Sequence, residues 1–332
     1  MVKEYNFKSD EIEDQISALT EKGITEFTIH DQAIAKDKKR LIKIINLIAR
    51  YAADVYVNIY VDASVIDRDL VSAASQLFLS FDIPLNCQEK GGKILFDKKF
   101  YSNKAKLLND FGIVFGFYLN YAILPGDSMK AFMERLDFAL RQYPNHIDFP
   151  QLEANSDDDR ISPKATGTFS PQNIRYCRDL SFSCATFYTA GRAVPWFLTL
   201  LKPLRIYPSV FLADFAEWQH CNNCDFKSGF DPQKESHKSI EKMQLLFLEE
   251  KFEEKHASEY KTLVEDIVHL NGAMARLAGE GQESVVEVSY NPDDIFSQEI
   301  FDLESFVENV CMMNCKVRIF ASQEGPDYEI LN

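Results

Sequence analysis

The sequence predicts an α/β fold: a partial TIM-type (β/α) barrel with parallel strands, followed by a mainly helical C-terminal region. Three observations predict it. Segments of strand and helix periodicity alternate across residues 1–215. No GxGxxG or GxxxxGK[ST] follows any of the strands, which takes the best support from a nucleotide-binding open sheet. From Lys234 onward the chain changes character and reads as charged, amphipathic helices. The expected division is therefore a barrel over 1–215 and a helical region over 216–332.

Each element has its own signal. Asp10 with Glu13 forms a capping pair, Ile12, Ile16 and Leu19 recur at helical spacing, and Gly23 supplies the stop. The short run EFTIHD is a strand ending at Asp31. Leu41, Ile44, Ile45 and Ile48 mark one face of the next helix. VYVNIYVDA, rich in β-branched and aromatic residues, is a strand ending near Asp62. A helix over 70–78 leads into LFLSFDI, a strand around Asp82. Residues 102–110 read as a helix, and after Gly112 comes the strand IVFGFYLNYA. Asp127 or Ser128 caps a helix carrying Met129, Phe132, Met133, Leu136 and Leu140, and HIDFPQLE is the last strand. Such alternation gives a parallel sheet with helices outside and right-handed crossovers. A barrel and an open doubly wound sheet both satisfy it; the missing phosphate loops favour the barrel.

Composition narrows the function classes. The 332 residues carry a net charge of −15, which argues against a nucleic-acid backbone or an anionic membrane as main partner. The longest apolar stretch, 111–124, is too short for a membrane span and contains Asn120. The polar start MVKEYNFKSD lacks the apolar core of a secretory signal. Seven scattered cysteines fit a reducing compartment, so a cytoplasmic location is expected. There is no GxSxG, no HExxH and no EF-hand pattern.

In parallel sheets chemistry sits at the carboxyl ends of the strands. Those ends are His30 and Asp31, then Asp62, Asp82, Asn120, and finally Gln151 and Glu153. Polar residues also begin loops for purely structural reasons, yet as a ring these predict a small-molecule site. The aromatic stretch over 187–224 holds Trp196 and Trp218; it reads either as core or as an apolar pocket wall with Arg192 as anchor for a carboxylate or phosphate. Cys221-x2-Cys224 and Cys311-x3-Cys315 could share a zinc ion or an auxiliary iron–sulfur cluster; a redox dithiol and plain structural thiols are the other readings. Ile240, Met243, Phe247 and Phe252 form one helix face, and Leu263, Val264, Ile267 and Leu270 another, giving a helical hairpin. Residues 302–321 read as helix then strand.

Three features together resemble the radical SAM superfamily. They are the helix and acid-ended strand DEIEDQISALTEKGITEFTIHDQ, the strand and turn LLNDFGIVFGFYLNYAILPGDSMKAFMERLDFAL, and HIDFPQLE followed by ATGTFS. The resemblance covers residues 7–168 and implies a partial barrel that holds S-adenosylmethionine over a [4Fe-4S] cluster. On that likeness Asp31, Asp62, Asp82 and Asn120 would face the cofactor, and His30, Gln151 and Arg192 the substrate. The family's CxxxCxxC is missing: no cysteine precedes Cys87, and Arg318 stands where Cys311 and Cys315 would need a third partner. The expectation is a radical SAM-like protein, incomplete or degenerate at its cluster site. It would not cleave S-adenosylmethionine alone, and the cluster segment would come from outside this chain, as part of a longer or multi-chain enzyme in which a partner protein could complete the barrel. The alternatives are a cluster-less ligand-binding or scaffold protein on the same barrel, and an unrelated barrel enzyme using acid and base residues at strand ends.

Overall fold

The computed structural model describes residues 15–16, 23–150, 163–222, 229–323 and 325–331. Packing divides the chain into two units, Met1–Cys177 and Arg178–Asn332. The division falls earlier than residue 215. The aromatic helices beyond it pack on the C-terminal helices: Phe187, Phe211 and Phe215 all lie in ring contact with Phe247.

The first unit is built on a five-stranded parallel sheet of order β1-β2-β3-β6-β7. Its strands are β1 (Glu26–Ile29), β2 (Tyr56–Tyr60), β3 (Leu79–Pro84), β6 (Val114–Tyr118) and β7 (His146–Asp148). Between them run α1 (Gln32–Ala35), α2 (Lys38–Tyr51), α3 (Arg68–Ala74), α4 (Lys98–Asp110) and α5 (Met129–Leu140). A two-stranded ribbon, β4 (Gln88–Lys90) with β5 (Lys93–Leu95), is inserted before α4. Its strands are three residues long and mostly exposed. They therefore lack the apolar alternation by which the sequence reveals the other strands.

Strand order follows chain order without reversal. With right-handed crossovers, every helix is then sent to the same face, unlike a doubly wound sheet where the order turns back at a switch point. This is the winding of a barrel. Five strands leave it open, and no closed barrel forms among the described residues.

The two faces differ accordingly. Phe27, Ile29, Val57, Ile59, Phe81, Ile83, Phe115, Phe117 and Ile147 alternate onto one face and are almost completely buried. Leu41, Ile44, Ile45 and Ile48 of α2 and Phe132 and Leu136 of α5 supply helical apolar surface to the same unit. The other face carries Thr28, Asn58, Tyr60, Ser80, Asp82, Gly116, His146 and Asp148, in register across the strands.

The helix starts are set by side-chain caps. Asp37, Asp67, Asp97 and Ser128 each accept a hydrogen bond from a backbone N–H in the first turn of α2, α3, α4 and α5. The loop after β6 is pinned by Asp127, which is buried and takes two hydrogen bonds of 3.0 Å from Arg135 and a third from the Ala122 N–H. Arg135 also donates to the Asn120 carbonyl. Ala122 is held at φ +54°, and Gly126 supplies the turn at φ +80°.

The division falls within α6 (Pro171–Ser183), which in the second unit passes into a π-helix over Cys184–Ala190. Then follow α7 (Phe197–Leu204), α8 (Pro208–Cys221), α9 (His237–Glu254) and α10 (Lys261–Glu280). The expected hairpin of α9 and α10 is present. After it come β8 (Ser284–Val288), α11 (Pro292–Ile295), α12 (Leu303–Asn309), β9 (Cys315–Ser322) and β10 (Gly325–Leu331). The three strands form an antiparallel sheet of order β10-β9-β8, so this unit is helical with a small sheet added. No helix among the described residues is long and apolar enough to cross a membrane.

Candidate functional site

The polar sheet face brings three ionisable side chains together. Tyr60, Asp82, Gly116 and His146 lie side by side on β2, β3, β6 and β7, with Asp148 two residues further along β7 on the same face. His146 Nε2 lies 2.7 Å from Asp82 Oδ1 and 3.3 Å from Asp148 Oδ2. Asn58 of β2 donates from Nδ2 to the other oxygen of Asp82 at 2.8 Å. Asp82 is thus held from both sides, its Oδ1 directed at the imidazole.

Gly116 makes the arrangement sterically feasible. A Cβ at this position would lie 2.1 Å from the His146 ring, so the ring occupies the space over β6 that any side chain would fill. Burial pulls the His146 imidazolium down, but its hydrogen bond to Asp82 and the charge of Asp148 outweigh burial, and its pKa sits above the ordinary histidine value. The group therefore tends to an imidazolium bridging two carboxylates. It can hold a cation or a proton, and Asp82 fixes the orientation of the ring.

Asp82 was legible as a strand-end acid; His146 and Asp148 were not. The sequence points past them to Gln151 and Glu153, both of which lie outside the described residues, whereas β7 ends at Asp148. Two signals mark the true pair. The alternation His-x-Asp places both side chains on one strand face, and the lone glycine inside VFGFY marks a close approach over the neighbouring strand.

The other expected residues are distributed as follows. Asp31 caps α1, its Oδ1 accepting from the Ala33 and Ile34 N–H groups at 2.8 Å. Asp62 caps a short 3-10 turn through Ser64 N–H and Oγ. Each carboxylate spends one oxygen on local structure. His30 is exposed and packs edge-on against Tyr60 at 4.6 Å between ring centres. Asn120 is half-buried beside the Asp127–Arg135 pair. Arg192 belongs to the second unit, where its Nη2 donates to Glu280 at 2.6 Å.

Among the described residues Cys221, Cys311 and Cys315 do not come together as a ligand group, and Cys224 lies outside them. Cys221 and Cys311 are exposed, and the Cys315 thiol points to the Tyr290 carbonyl. The described thiols therefore do not fit a shared zinc ion or cluster. The group that does converge is Asp82, His146 and Asp148.

The second unit has its own buried polar network. Glu241 receives Arg276 Nη1 at 2.5 Å and lies 3.0 Å from His269 Nδ1, while Arg276 also contacts His237 Nδ1. Burial would raise the Glu241 pKa, but the hydrogen bonds from His269 and Arg276 prevail and hold it low. Gly272 leaves the room that Glu241 needs, since a Cβ there would meet its Oε2 at 1.9 Å. The partners pair with one another, as expected of an internal strut, although Arg276 Nε is buried without a hydrogen-bond partner.

No family model and no curated protein matches the chain. Among solved structures, it is similar to the radical S-adenosylmethionine methyltransferase TsrM from Kitasatospora setae with cobalamin and a [4Fe-4S] cluster bound. Identity is 13% and the TM-score 0.34, over 51% of this chain and 33% of that one. The same enzyme with tryptophan and a SAM analogue bound gives 12% and 0.34, over 51% and 32%. The carboxyl transferase domain of Rhizobium etli pyruvate carboxylase with pyruvate gives 10% and 0.26, over 98% and 72%. The chain thus spans about a third of the length of the first two. The chemistry of the site rests on the residues of this chain.

Proposed function

We propose that the chain is a radical SAM-like partial barrel that binds a small polar ligand on the polar sheet face, with Asp82, His146, Asp148 and Asn58 as its contacts. The observation that carries this reading is the convergence of these side chains across β2, β3 and β7 on the polar face of the sheet. The ligand expected from the sequence resemblance is S-adenosylmethionine. Its sulfonium and ammonium groups are cations, and the two carboxylates offer charge of the opposite sign. The 332 residues contain no CxxxCxxC, so the reading includes no radical SAM cluster held by this chain and no reductive cleavage by it alone. A cluster would come from residues outside this sequence.

Titration calorimetry with S-adenosylmethionine in chelator-containing buffer tests this. Saturable binding is expected, weakened at least about tenfold by Asp82→Asn, the effect of losing one charge-assisted contact of about 1.5–3 kcal/mol. Binding that does not saturate, or that is indifferent to Asp82→Asn, would overturn the reading.

The Asp82–His146 contact favours a second reading, an acid–base enzyme without radical chemistry. A carboxylate orienting an imidazole whose pKa is raised favours the protonated ring, the arrangement of a general acid. Turnover by protein free of iron would select it.

A further inference from the structure

We infer that Asp82, His146 and Asp148 form a binding site for a divalent first-row transition ion. This goes beyond the ligand-binding reading and stands whether or not S-adenosylmethionine binds.

Three observations support it independently. The three ligating atoms lie within 4.8 Å of one another, and they are one imidazole nitrogen and two carboxylate oxygens. Metal–ligand bonds of about 2.0–2.2 Å in tetrahedral arrangement separate the ligand atoms by roughly 3.3 Å. Of the separations from His146 Nε2, 3.3 Å to Asp148 matches that value and 2.7 Å to Asp82 is shorter, so opening the His146–Asp82 contact admits an ion. Second, the outer partner is in place. Asn58 donates to Asp82 Oδ2 and leaves Oδ1 for the metal, the kind of support that orients ligating carboxylates. Asn58 Oδ1 is itself buried without a hydrogen-bond partner. Third, Gly116 clears the space over β6 in which the His146 ring sits.

The donor set selects the ion. Mg²⁺ and Ca²⁺ favour shells of oxygen alone, whereas an imidazole with carboxylates suits Zn²⁺, Mn²⁺ or Fe²⁺. Three protein donors leave at least one position open, which is the pattern of a site that takes water or a substrate oxygen rather than a closed structural one. In the ion-free protein the imidazole contacts Asp82 directly; on binding, Nε2 releases any proton it carries and turns its lone pair to the metal.

The test uses the full chain, stripped with chelator and titrated with Zn²⁺ and with Mn²⁺, with Mg²⁺ for comparison. One equivalent of Zn²⁺ or Mn²⁺ is expected to bind, more tightly than Mg²⁺. Asp82→Asn and His146→Gln should each weaken it about 100-fold or more, and the outer variant Asn58→Ala by about 10–100-fold. Replacing Cys221, Cys311 and Cys315 by Ser should leave it unchanged. X-ray absorption on the wild-type zinc form reads the donors without any variant. A shell of nitrogen and oxygen at about 2.0–2.2 Å is expected, and a sulfur shell at about 2.3 Å would overturn the assignment. Failure to bind one equivalent, or binding that survives both Asp82→Asn and His146→Gln, would overturn it equally.

Discussion

At the scale of single residues, the chain shows how one side chain can be structural or functional according to what it faces. Asp31, Asp62 and Asp82 all sit at the ends of strands, yet the first two turn an oxygen to cap the following turn and the third is gripped between Asn58 and His146. Asp266 is a further case. It is buried in α10 and accepts the Ser289 and Tyr290 N–H groups, but burial dominates and pushes its pKa up to about 6. A carboxyl raised in the fold contributes stability that is fully present below its unfolded value and lost as pH rises through about 6. Allowing for screening, the loss is about 1–2 kcal/mol. Urea denaturation at pH 4.5 and 7.5 should therefore show Asp266→Asn gaining on the wild type at the higher pH. An equal pH difference in both proteins would count against this account.

At the scale of elements, the loop after β6 depends on one ion pair. The turn over 122–127 sets the N–H of Ala122, held at positive φ, against Asp127, and Arg135 of α5 closes the arrangement and donates to the Asn120 carbonyl. Both side chains are almost fully buried, so removing one leaves the other as an uncompensated charge. Asp127→Ala should cost about 3–5 kcal/mol by equilibrium denaturation, with Asp127→Ala/Arg135→Met recovering part of it. A loss below 1 kcal/mol would show that the loop is held by something else. In the second unit the corresponding element is the aromatic cluster around Phe187, whose ring lies 4.9–6.1 Å from those of Trp196, Phe197, Phe211, Phe215 and Phe247. Phe187→Ala should cost about 3–5 kcal/mol and lower the melting temperature. The bland reading of that aromatic stretch, a core, is the one its burial supports.

At the scale of the whole molecule, the order of strands decides where chemistry can occur. A parallel sheet wound in one direction covers one face with helices and leaves the other to polar residues. Periodicity makes these five strands legible, because each needs an apolar side for the helices. It does not reveal that β7 stops after Asp148, nor that Asp82 and His146, 64 residues apart in sequence, are neighbours across the intervening β6. The short ribbon of β4 and β5 and the strands β8 and β10 also escape a reading by periodicity, whereas β9 falls in the segment read as helix then strand. Several of their strands are largely exposed and carry too few buried positions to set a pattern.

The sequence by itself determined the class of the fold, the alternation of strands and helices in the first unit, the helical hairpin of the second, the Ser128 cap, and the absence of a CxxxCxxC from these residues. All of these are local: they depend on spacing along the chain, on the chemistry of a turn, or on a motif. Only the tertiary structure decided which polar residues meet. It joined Asp82 to His146 and Asp148 across Gly116, gave Arg192 to Glu280, and kept the described cysteines apart. The physical reason is that contact across a sheet is set by strand order and register, which depend on burying the whole apolar face at once. No single segment carries that information.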